Sequence, residues 1–514
     1  MTDLRSPAGR ATLWLILVSL VLRLLIAMSV GLGVGESYYF AAAQHLSLSY
    51  FDQPPAAAFL AGVSLKLFGA VSGLALRAPF ILLFAGTTWL MFLTGRRLFG
   101  PWQGFWAALL LNLAPVFALS TGVFFQPEAP LMFFWLACLA CLVPALVRAT
   151  PEQYRRQDWI AVGLTLGLAM LSKYSAGFLV LGAGMYVLTR RDRWWLLRRP
   201  GPYLALVVAA VCFLPVLIWN ARYDWVSFLW QGQRGTDYHG IHLDWLLHNL
   251  SGQALELLPW IWLPLVMEPF RMRSSPEGDR PARSFLLWVG LPPILAFTAV
   301  SAYAKIGDHF HWGTPGYLTL LLGLGATVHH WLVRGGFGRK LLIGGTAVAS
   351  VAFMGMANVQ AVTGHFTTGY GGLSRWLASG NDATIELIDF HELDTRFSER
   401  GWYQRQDLFV FSDRWFLGGK VDYALKGRMP FLLLNPSDPR EYAFFDTPAR
   451  WVGKEGILVS YRSDSTEVRR DYAEYCASLE TLAPVEITRR GKVERTLHLY
   501  RCTELVKSFP LPYP

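Results

Sequence analysis

Residues 35–40, with the sequence GESYYF, and residues 50–55, with the sequence YFDQPP, lie between the first two long apolar stretches of the chain. These stretches lie near residues 11–31 and 74–94, and each can cross a hydrocarbon core of about 30 Å as a helix. Acids, tyrosines and a Pro-Pro pair are thus crowded into one short connection beside a membrane. The arrangement predicts two spanning helices joined by a polar loop at the membrane surface.

The rest of the N-terminal region is equally apolar. Of 514 residues, 53% are hydrophobic and only 16% are charged, which is typical of a polytopic membrane protein. Further candidate spans lie near residues 102–120, 129–147, 203–220, 254–270, 284–304, 313–333 and 341–360.

Residues 159–188 could form one long span or two short ones around Lys173. Arginines cluster at 148–156 before this stretch and at 190–199 after it, and both clusters should be cytoplasmic. An even number of crossings is then required, so we expect two short helices that meet near Lys173. The total is about eleven spans, with the N-terminus inside and the C-terminus outside. Because this topology explains the net charge of +10, no nucleic-acid partner is expected.

The composition changes after residue 361, where strand-like runs at 407–411, 430–434 and 456–460 are separated by turn signals. We therefore expect a transmembrane domain over 1–360 and a soluble α/β domain over 361–514 on the outer, periplasmic side. Cys476 and Cys502 could form a disulfide if that side is oxidising.

The predicted topology places every unusual polar cluster on the same outer face. The candidate catalytic residues are Glu36, Asp52 and Glu128. The candidate substrate-binding residues are Tyr38, Tyr39, Lys173, Tyr174, Arg222, Arg234, Lys305, His309 and His311.

The chemistry of these residue types suits transfer from an anionic lipid. A carboxylate can take a proton from an attacking hydroxyl, and cations can stabilise a departing phosphate. Glu36 and Asp52 could also hold a divalent metal, whereas no organic cofactor is expected. Membrane lipids surround the spans.

Each residue also has a plainer interpretation. Glu36 could be a favourable charge in the first turn of a helix. Asp52 and Glu128 could cap helices, and Lys173 could extend to the lipid headgroups. The two histidines could form only interfacial hydrogen bonds. The functional hypothesis depends on the convergence of all these groups on one face.

Five motifs resemble those of the bacterial members of glycosyltransferase family 39, relatives of protein O-mannosyltransferases and of the lipid A aminoarabinose transferase. They occur in the expected order at residues 36–40 (ESYYF), 50–55 (YFDQPP), 126–131 (QPEAPL), 171–175 (LSKYS) and 311–317 (HWGTPGY). The resemblance covers roughly residues 10–360.

The resemblance implies a GT-C fold and inverting transfer of a sugar from a polyprenyl-phosphate carrier at the periplasmic face of the bacterial inner membrane. The acceptor is expected to be lipid A, a glycolipid or an envelope glycan rather than a protein. In that family the first outer loop usually carries Asp-Glu, whereas here Gly35 precedes Glu36. Glu128 stands where the second loop commonly has Asp.

Two other functions remain open from the sequence. A flippase or transporter of lipid-linked sugars would carry acids in the middle of its spans and usually an inverted repeat. A catalytically silent relative would have lost activity through the change at Gly35.

Overall fold

The computed structural model describes residues 6–148, 150–272, 275–304, 309–367 and 382–513. The described residues up to 363 are mainly helical. Their α-helices are α1 (Pro7–Ser29), α2 (Val34–Gln44), α3 (Ala56–Phe68), α4 (Gly73–Leu98), α5 (Pro101–Leu113), α6 (Glu128–Leu142), α7 (Asp158–Ser172), α8 (Gly177–Thr189), α9 (Pro200–Arg222), α10 (Val226–Thr236), α11 (Leu243–Leu257), α12 (Pro259–Val266), α13 (Glu268–Arg271), α14 (Arg280–Ser301), α15 (Thr314–Arg334) and α16 (Phe337–Thr363).

The described residues contain seven helical segments that are long and apolar enough to cross a membrane. They are Pro7–Ser29, Gly73–Leu98, Glu128–Val147, Pro200–Arg222, Glu277–Ser301, Phe310–Arg334 and Phe337–Thr363. Three shorter apolar helices accompany them: Ala56–Phe68, Asp158–Ser172 and Tyr174–Thr189. The protein is therefore a multi-pass membrane protein, as predicted, while the count of about eleven crossings stays a prediction.

The two short helices expected around Lys173 are present. Helix α7 ends at Ser172, Lys173 has an extended backbone with φ −161°, and α8 begins at Gly177. The stretch 254–270, expected to be one span, is instead divided between α11, α12 and α13. The break is at Leu258, whose φ is +68°, and Pro259 starts the next helix because it needs no amide donor there.

The connection between α1 and α4 is not the plain loop that the sequence suggested. The alanine runs 41–43 and 56–58 lie in two additional helices, α2 and α3, because alanine has the highest helix propensity. Glu36 lies in the first turn of α2, and Asp52 lies in the segment that joins α2 to α3.

The C-terminal region folds around a mixed six-stranded sheet. Its strands are β1 (Leu408–Ser412), β2 (Phe431–Leu433), β3 (Glu455–Ser460), β4 (Leu479–Thr481), β5 (Val485–Arg489) and β6 (Lys492–Cys502). The order is β2-β1-β3-β6-β4, with β5 paired to β6; β1 runs parallel to β2 and β3, and β6 is antiparallel to its neighbours. The helices of this region are α17 (His391–Glu399), α18 (Trp415–Ala424) and α19 (Ser465–Tyr472).

The predicted α/β class and its first three strands are confirmed to within one or two residues. Apolar side chains cover both faces of the central strands, so the domain has its own core on each side of the sheet. Cys476 and Cys502 form the disulfide that the sequence allowed. The domain boundary near residue 361 stays a prediction, and residues 368–381 lie outside the described ranges.

The C-terminal domain docks on α2 through α18. A Cβ atom on Gly419 would lie 2.6 Å from the backbone nitrogen of Tyr38, so only glycine fits at this crossing. The ammonium group of Lys420 donates to the carbonyl oxygen of Leu32 at 2.6 Å, and Asp389 accepts from the Leu32 amide at 3.0 Å. These contacts place the C-terminal domain directly over the segment that carries Glu36 and Tyr38.

Candidate active site

Glu36 is buried and forms an ion pair with Arg77. The Nε and Nη2 atoms of Arg77 donate to its two carboxylate oxygens at 2.8 and 2.6 Å. The backbone amides of Gly33 and Phe125 donate to the same carboxylate, each at 2.9 Å. Four donors therefore occupy the two oxygens. The position in the first turn of α2 also agrees with the plainer interpretation of Glu36 as a helix-terminal charge.

Arg77 was not among the predicted site residues. It lies in α4 with no exposed surface and also donates to the carbonyl oxygens of Ala27, Val30 and Gly31 at 2.7–3.1 Å. The sequence carried a signal for it, because an arginine inside the apolar stretch 74–94 needs a partner. Together with Glu36, Arg77 joins the end of α1, the start of α2 and α4.

Asp52 is buried beside an arginine of the C-terminal domain. Nη1 of Arg440 donates to its Oδ2 at 3.1 Å, while Oδ1 has no hydrogen-bond partner among the described residues. Burial raises the pKa of Asp52, and the positive charges of Arg440 and Arg234 oppose this shift. Asp52 is not a helix cap, because α3 begins at Ala56 after Pro55.

Aromatic rings surround the guanidinium group of Arg440. Its Cζ atom lies 3.9 Å from the ring centre of Trp415, 5.3 Å from that of Trp230 and 5.9 Å from that of Tyr38. Burial alone would lower the pKa of Arg440, but the neighbouring Asp52 raises it overall. Arg440 is thus held as a cation beside Asp52.

Tyr38 and Tyr39 lie where the two parts of the molecule meet. Tyr38 packs edge-on against Trp415, with ring centres 5.2 Å apart, and its hydroxyl accepts from the amide of Glu441 at 3.3 Å. Burial raises the pKa of Tyr39, and the charges of Asp52 and Glu128 raise it further. Tyr38 thus joins α2 to the C-terminal domain, and Tyr39 packs on Phe125, with ring centres 5.9 Å apart.

Glu128, Lys173 and His311 converge from distant parts of the sequence, as predicted. Glu128 begins α6, Lys173 directly follows the end of α7, and His311 lies in the 3-10 turn Phe310–Gly313 before α15. The ammonium group of Lys173 forms an ion pair with Oε1 of Glu128. Nε2 of His311 lies 3.4 Å from the same oxygen. Lys173 is thus paired with an acid rather than extended to headgroups.

Arg234 and His309 form a second pair of basic side chains in contact. Nη2 of Arg234 and Nε2 of His309 are 2.9 Å apart. The guanidinium lies between two indole rings, 4.7 Å from the centre of Trp230 and 4.8 Å from that of Trp312. Burial lowers the pKa of Arg234, opposed by the charge of Asp52. The Arg234 guanidinium therefore lies in an aromatic part of the site.

The remaining predicted residues differ in their positions. The hydroxyl groups of Tyr174 and Ser227 are 2.8 Å apart, so Tyr174 ties the helix pair to α10. Arg222 is exposed at the end of α9, and among the described residues its side chain has no hydrogen bond to the site. Lys305 lies outside the described residues.

The predicted metal ligands do not form one donor set. Glu36 and Asp52 face separate arginines, and within the described ranges no group of three His, Cys, Asp or Glu side chains is arranged to hold a metal ion. Oxygen-ligated cations need several converging oxygens. We therefore assign no reaction step to a metal ion.

The protein has a multi-pass membrane domain of the GT-C fold with a soluble domain seated on its polar face. Residues 52–219 match the model of the family described as dolichyl-phosphate-mannose-protein mannosyltransferase. In the solved structure of ArnT from Cupriavidus metallidurans bound to undecaprenyl phosphate, the same fold recurs with a TM-score of 0.61. That likeness covers 96% of this chain and 98% of that one at 16% identity.

Curated relatives are similar over part of the chain. The lipid A galacturonosyltransferase RgtD of Rhizobium johnstonii is 28% identical over 290 residues, which cover 55% of this chain and 58% of that protein. An undecaprenyl phosphate-alpha-4-amino-4-deoxy-L-arabinose arabinosyl transferase of Proteus mirabilis is 26% identical over 49% of this chain and 46% of its own length. This chain thus spans about half the length of these relatives. The resemblance to glycosyltransferase family 39 that the five motifs indicated is confirmed.

Proposed function

We propose that the protein is a membrane glycosyltransferase. It moves a sugar from a polyprenyl-phosphate donor to a hydroxyl or phosphate of lipid A, a glycolipid or an envelope glycan, with inversion. One observation carries the proposal: Gln231 of α10 donates to the carbonyl oxygen of Asp52 at 2.6 Å, and Arg234 of the same helix contacts His309, whose ring neighbours His311 and so leads to Glu128 and Lys173. The activities of the two curated relatives, a lipid A galacturonosyltransferase and an undecaprenyl phosphate-aminoarabinose transferase, support this choice.

The cations of this site suit the leaving group. As the bond between the anomeric carbon and the phosphate oxygen breaks, negative charge grows on the polyprenyl phosphate. Lys173, Arg234 and His309 lie on the elements around the site and can stabilise that charge. The ion pair between Lys173 and Glu128 holds the ammonium group in place before the phosphate binds.

Asp52 is the group that suits the role of base. Its Oδ1 has no partner among the described residues, and burial raises its pKa, so it can take a proton from the acceptor hydroxyl. The acceptor oxygen then bonds to the anomeric carbon from the side opposite the phosphate, which gives inversion. Glu36 differs because four donors already occupy its carboxylate. In this proposal Glu36 is a positioning residue for the first turn of α2.

The proposal includes an orientation. Basic residues are concentrated in the loops 148–156, 190–199 and 334–340, on the side away from the candidate site in the predicted topology. By the positive-inside rule these loops are cytoplasmic, so the site and the C-terminal domain face the periplasm of a bacterial inner membrane. The disulfide between Cys476 and Cys502 supports an oxidising compartment.

The direct experiment uses the purified protein in lipid nanodiscs, with a polyprenyl-phosphate sugar and lipid A as probes. Sugar-bearing lipid A and free polyprenyl phosphate, both detected by mass spectrometry, are the expected products. A comparison of envelope lipids and glycans between wild-type and deletion strains would identify a different acceptor. Donor that moves between leaflets of a proteoliposome without bond cleavage would favour a flippase. Loss of both activities would indicate a silent relative.

A further inference from the structure

A cavity of about 290 Å³, lined in part by Phe51 and Glu441, lies where the C-terminal domain meets the membrane domain. Its walls come from the segment 45–51, from Trp219 and Tyr223 near the end of α9, and from the 3-10 helix Arg440–Phe444. Two consecutive residues of that 3-10 helix contact Asp52 and the cavity, respectively. Arg440 bonds to Asp52, and Glu441 lines the cavity.

The carboxyl group of Glu441 is the unexplained feature of this cavity. Glu441 is only 1% exposed, and neither of its side-chain oxygens has a hydrogen-bond partner among the described residues. A buried polar group without a partner is costly, so such a group in a cavity wall is expected to bind a ligand or water. Burial and the charge of Asp52 raise the pKa of Glu441 well above its usual range. A carboxyl group accepts hydrogen bonds in either state and also donates one when it is protonated.

The other walls of the cavity are aromatic. The ring of Phe444 lies 5.4 Å from that of Trp219 and 5.1 Å from that of Tyr223, measured between ring centres. His45 stacks on Phe445 at 4.8 Å. Ligand sites commonly combine such walls with a few well-placed polar groups. A hydroxylated sugar ring fits this pattern, because its hydroxyls can satisfy the carboxyl group and its C–H faces can pack on the aromatic rings. A lipid chain would leave Glu441 without a partner.

We propose that this cavity binds the sugar ring that carries the attacking hydroxyl, and that Glu441 of the C-terminal domain recognises it by hydrogen bonds. The inference rests on the proposed function, since it assigns the acceptor rather than the donor to the cavity. The acceptor is favoured because the cavity-lining residues Phe51 and Glu441 are the chain neighbours of the hydrogen-bonded pair Asp52 and Arg440, whereas Lys173 and His311 lie at the end of α7 and before α15.

The test compares Glu441→Leu with Glu441→Gln in the full-length protein in nanodiscs. The amide of Gln keeps a donor and an acceptor, whereas Leu keeps neither. For Glu441→Leu we expect the KM for lipid A to rise about 10-fold, as for loss of one or two hydrogen bonds. The KM for the donor should change less than about 2-fold on the same scale. Glu441→Gln should stay near the wild-type KM. Glu486→Leu, on the exposed face of β5, is the matched control.

A second readout does not need turnover. Lipid A should raise the melting temperature of the wild type and of Glu441→Gln but not that of Glu441→Leu. The inference is overturned if Glu441→Leu keeps the wild-type KM for lipid A, if its donor KM rises instead, or if Glu441→Gln is equally impaired. If the wild type transfers no sugar, the proposed function fails. A lipid A-dependent melting shift that Glu441→Leu abolishes would still support the cavity as a sugar site.

Discussion

Nη1 of Arg440 donates to Oδ2 of Asp52 across 388 residues of sequence, at a distance of 3.1 Å. Arg440 belongs to the C-terminal domain, and Asp52 belongs to the segment between α2 and α3. The contact shows that the soluble domain contributes directly to the polar site of the membrane domain. It also sets the charge environment of a candidate acid whose Oδ1 has no hydrogen-bond partner among the described residues.

Replacing Arg440 by Gln should move the acid limb of the pH–rate profile to higher pH. Asp52 acts as a base only when ionised, so the rate falls as the pH drops through its pKa. Arg440, Tyr38 and Arg234 each lower that pKa against the effect of burial. Loss of the Arg440 charge should therefore raise the pKa of Asp52 further.

The control for this change is Arg440→Lys, which keeps a cation near Asp52 and should leave the limb closer to that of the wild type. The measurement is kcat/KM against pH with saturating donor. Coinciding profiles for Arg440→Gln and the wild type would show that Asp52 is not the titrating base.

Arg77→Leu should destabilise the membrane domain strongly. It leaves the buried carboxylate of Glu36 without its guanidinium partner, and breaking one side of a buried ion pair costs about 3–5 kcal/mol. Thermal unfolding in detergent micelles checks this. The double variant Glu36→Leu with Arg77→Leu should lose less than the sum of the single variants, because no unpaired charge remains. Equal melting temperatures for Arg77→Leu and the wild type would contradict the assignment.

Lys173→Met should weaken use of the polyprenyl-phosphate donor. A charged hydrogen bond to a phosphate contributes about 1.5–3 kcal/mol, so the KM for the donor should rise roughly 10-fold or more. Lys66→Met, at an exposed position of α3, is the matched control. Initial rates at varied donor concentration measure this KM. An unchanged donor KM would assign Lys173 to folding alone.

Gly419→Val should separate the C-terminal domain from α2. The new Cβ would meet the backbone of Tyr38 at 2.6 Å, which a side-chain movement cannot relieve. Faster proteolysis of the C-terminal domain and loss of transfer are expected together. Gly355→Ala in α16 is the control, because a Cβ there has nothing within 4 Å and alanine favours the helix. A protease-resistant Gly419→Val protein would contradict the docking described above.

The sequence could predict features that depend on local pattern or on topology. The buried apolar runs of β1 and β3 have strand character on their own. Glu128 and Lys173 were placed on one face by counting crossings, and the structure pairs them. By contrast, β4, β5 and β6 were not predicted; β4 and the first half of β6 are largely exposed and carry no apolar run.

Other parts of the site had no local signal. Arg440 and Glu441 follow a polar turn in the soluble domain, and only tertiary folding brings them to Asp52. Arg77 could have been found, because a charge in an apolar span requires a partner. The sequence could not identify Glu36 as the partner of Arg77, since the Glu36 carboxylate could equally have faced a substrate.

The role of Asp52 as general base is tested most directly by comparing the wild type with Asp52→Asn in sugar transfer from polyprenyl phosphate to lipid A in nanodiscs. Asn keeps the size of the side chain but cannot take the proton. Asp52→Asn should lose about 100-fold or more in kcat, which is the contribution of a general base, while its melting temperature stays near that of the wild type. Transfer by Asp52→Asn at the wild-type rate would show that Asp52 is not the base.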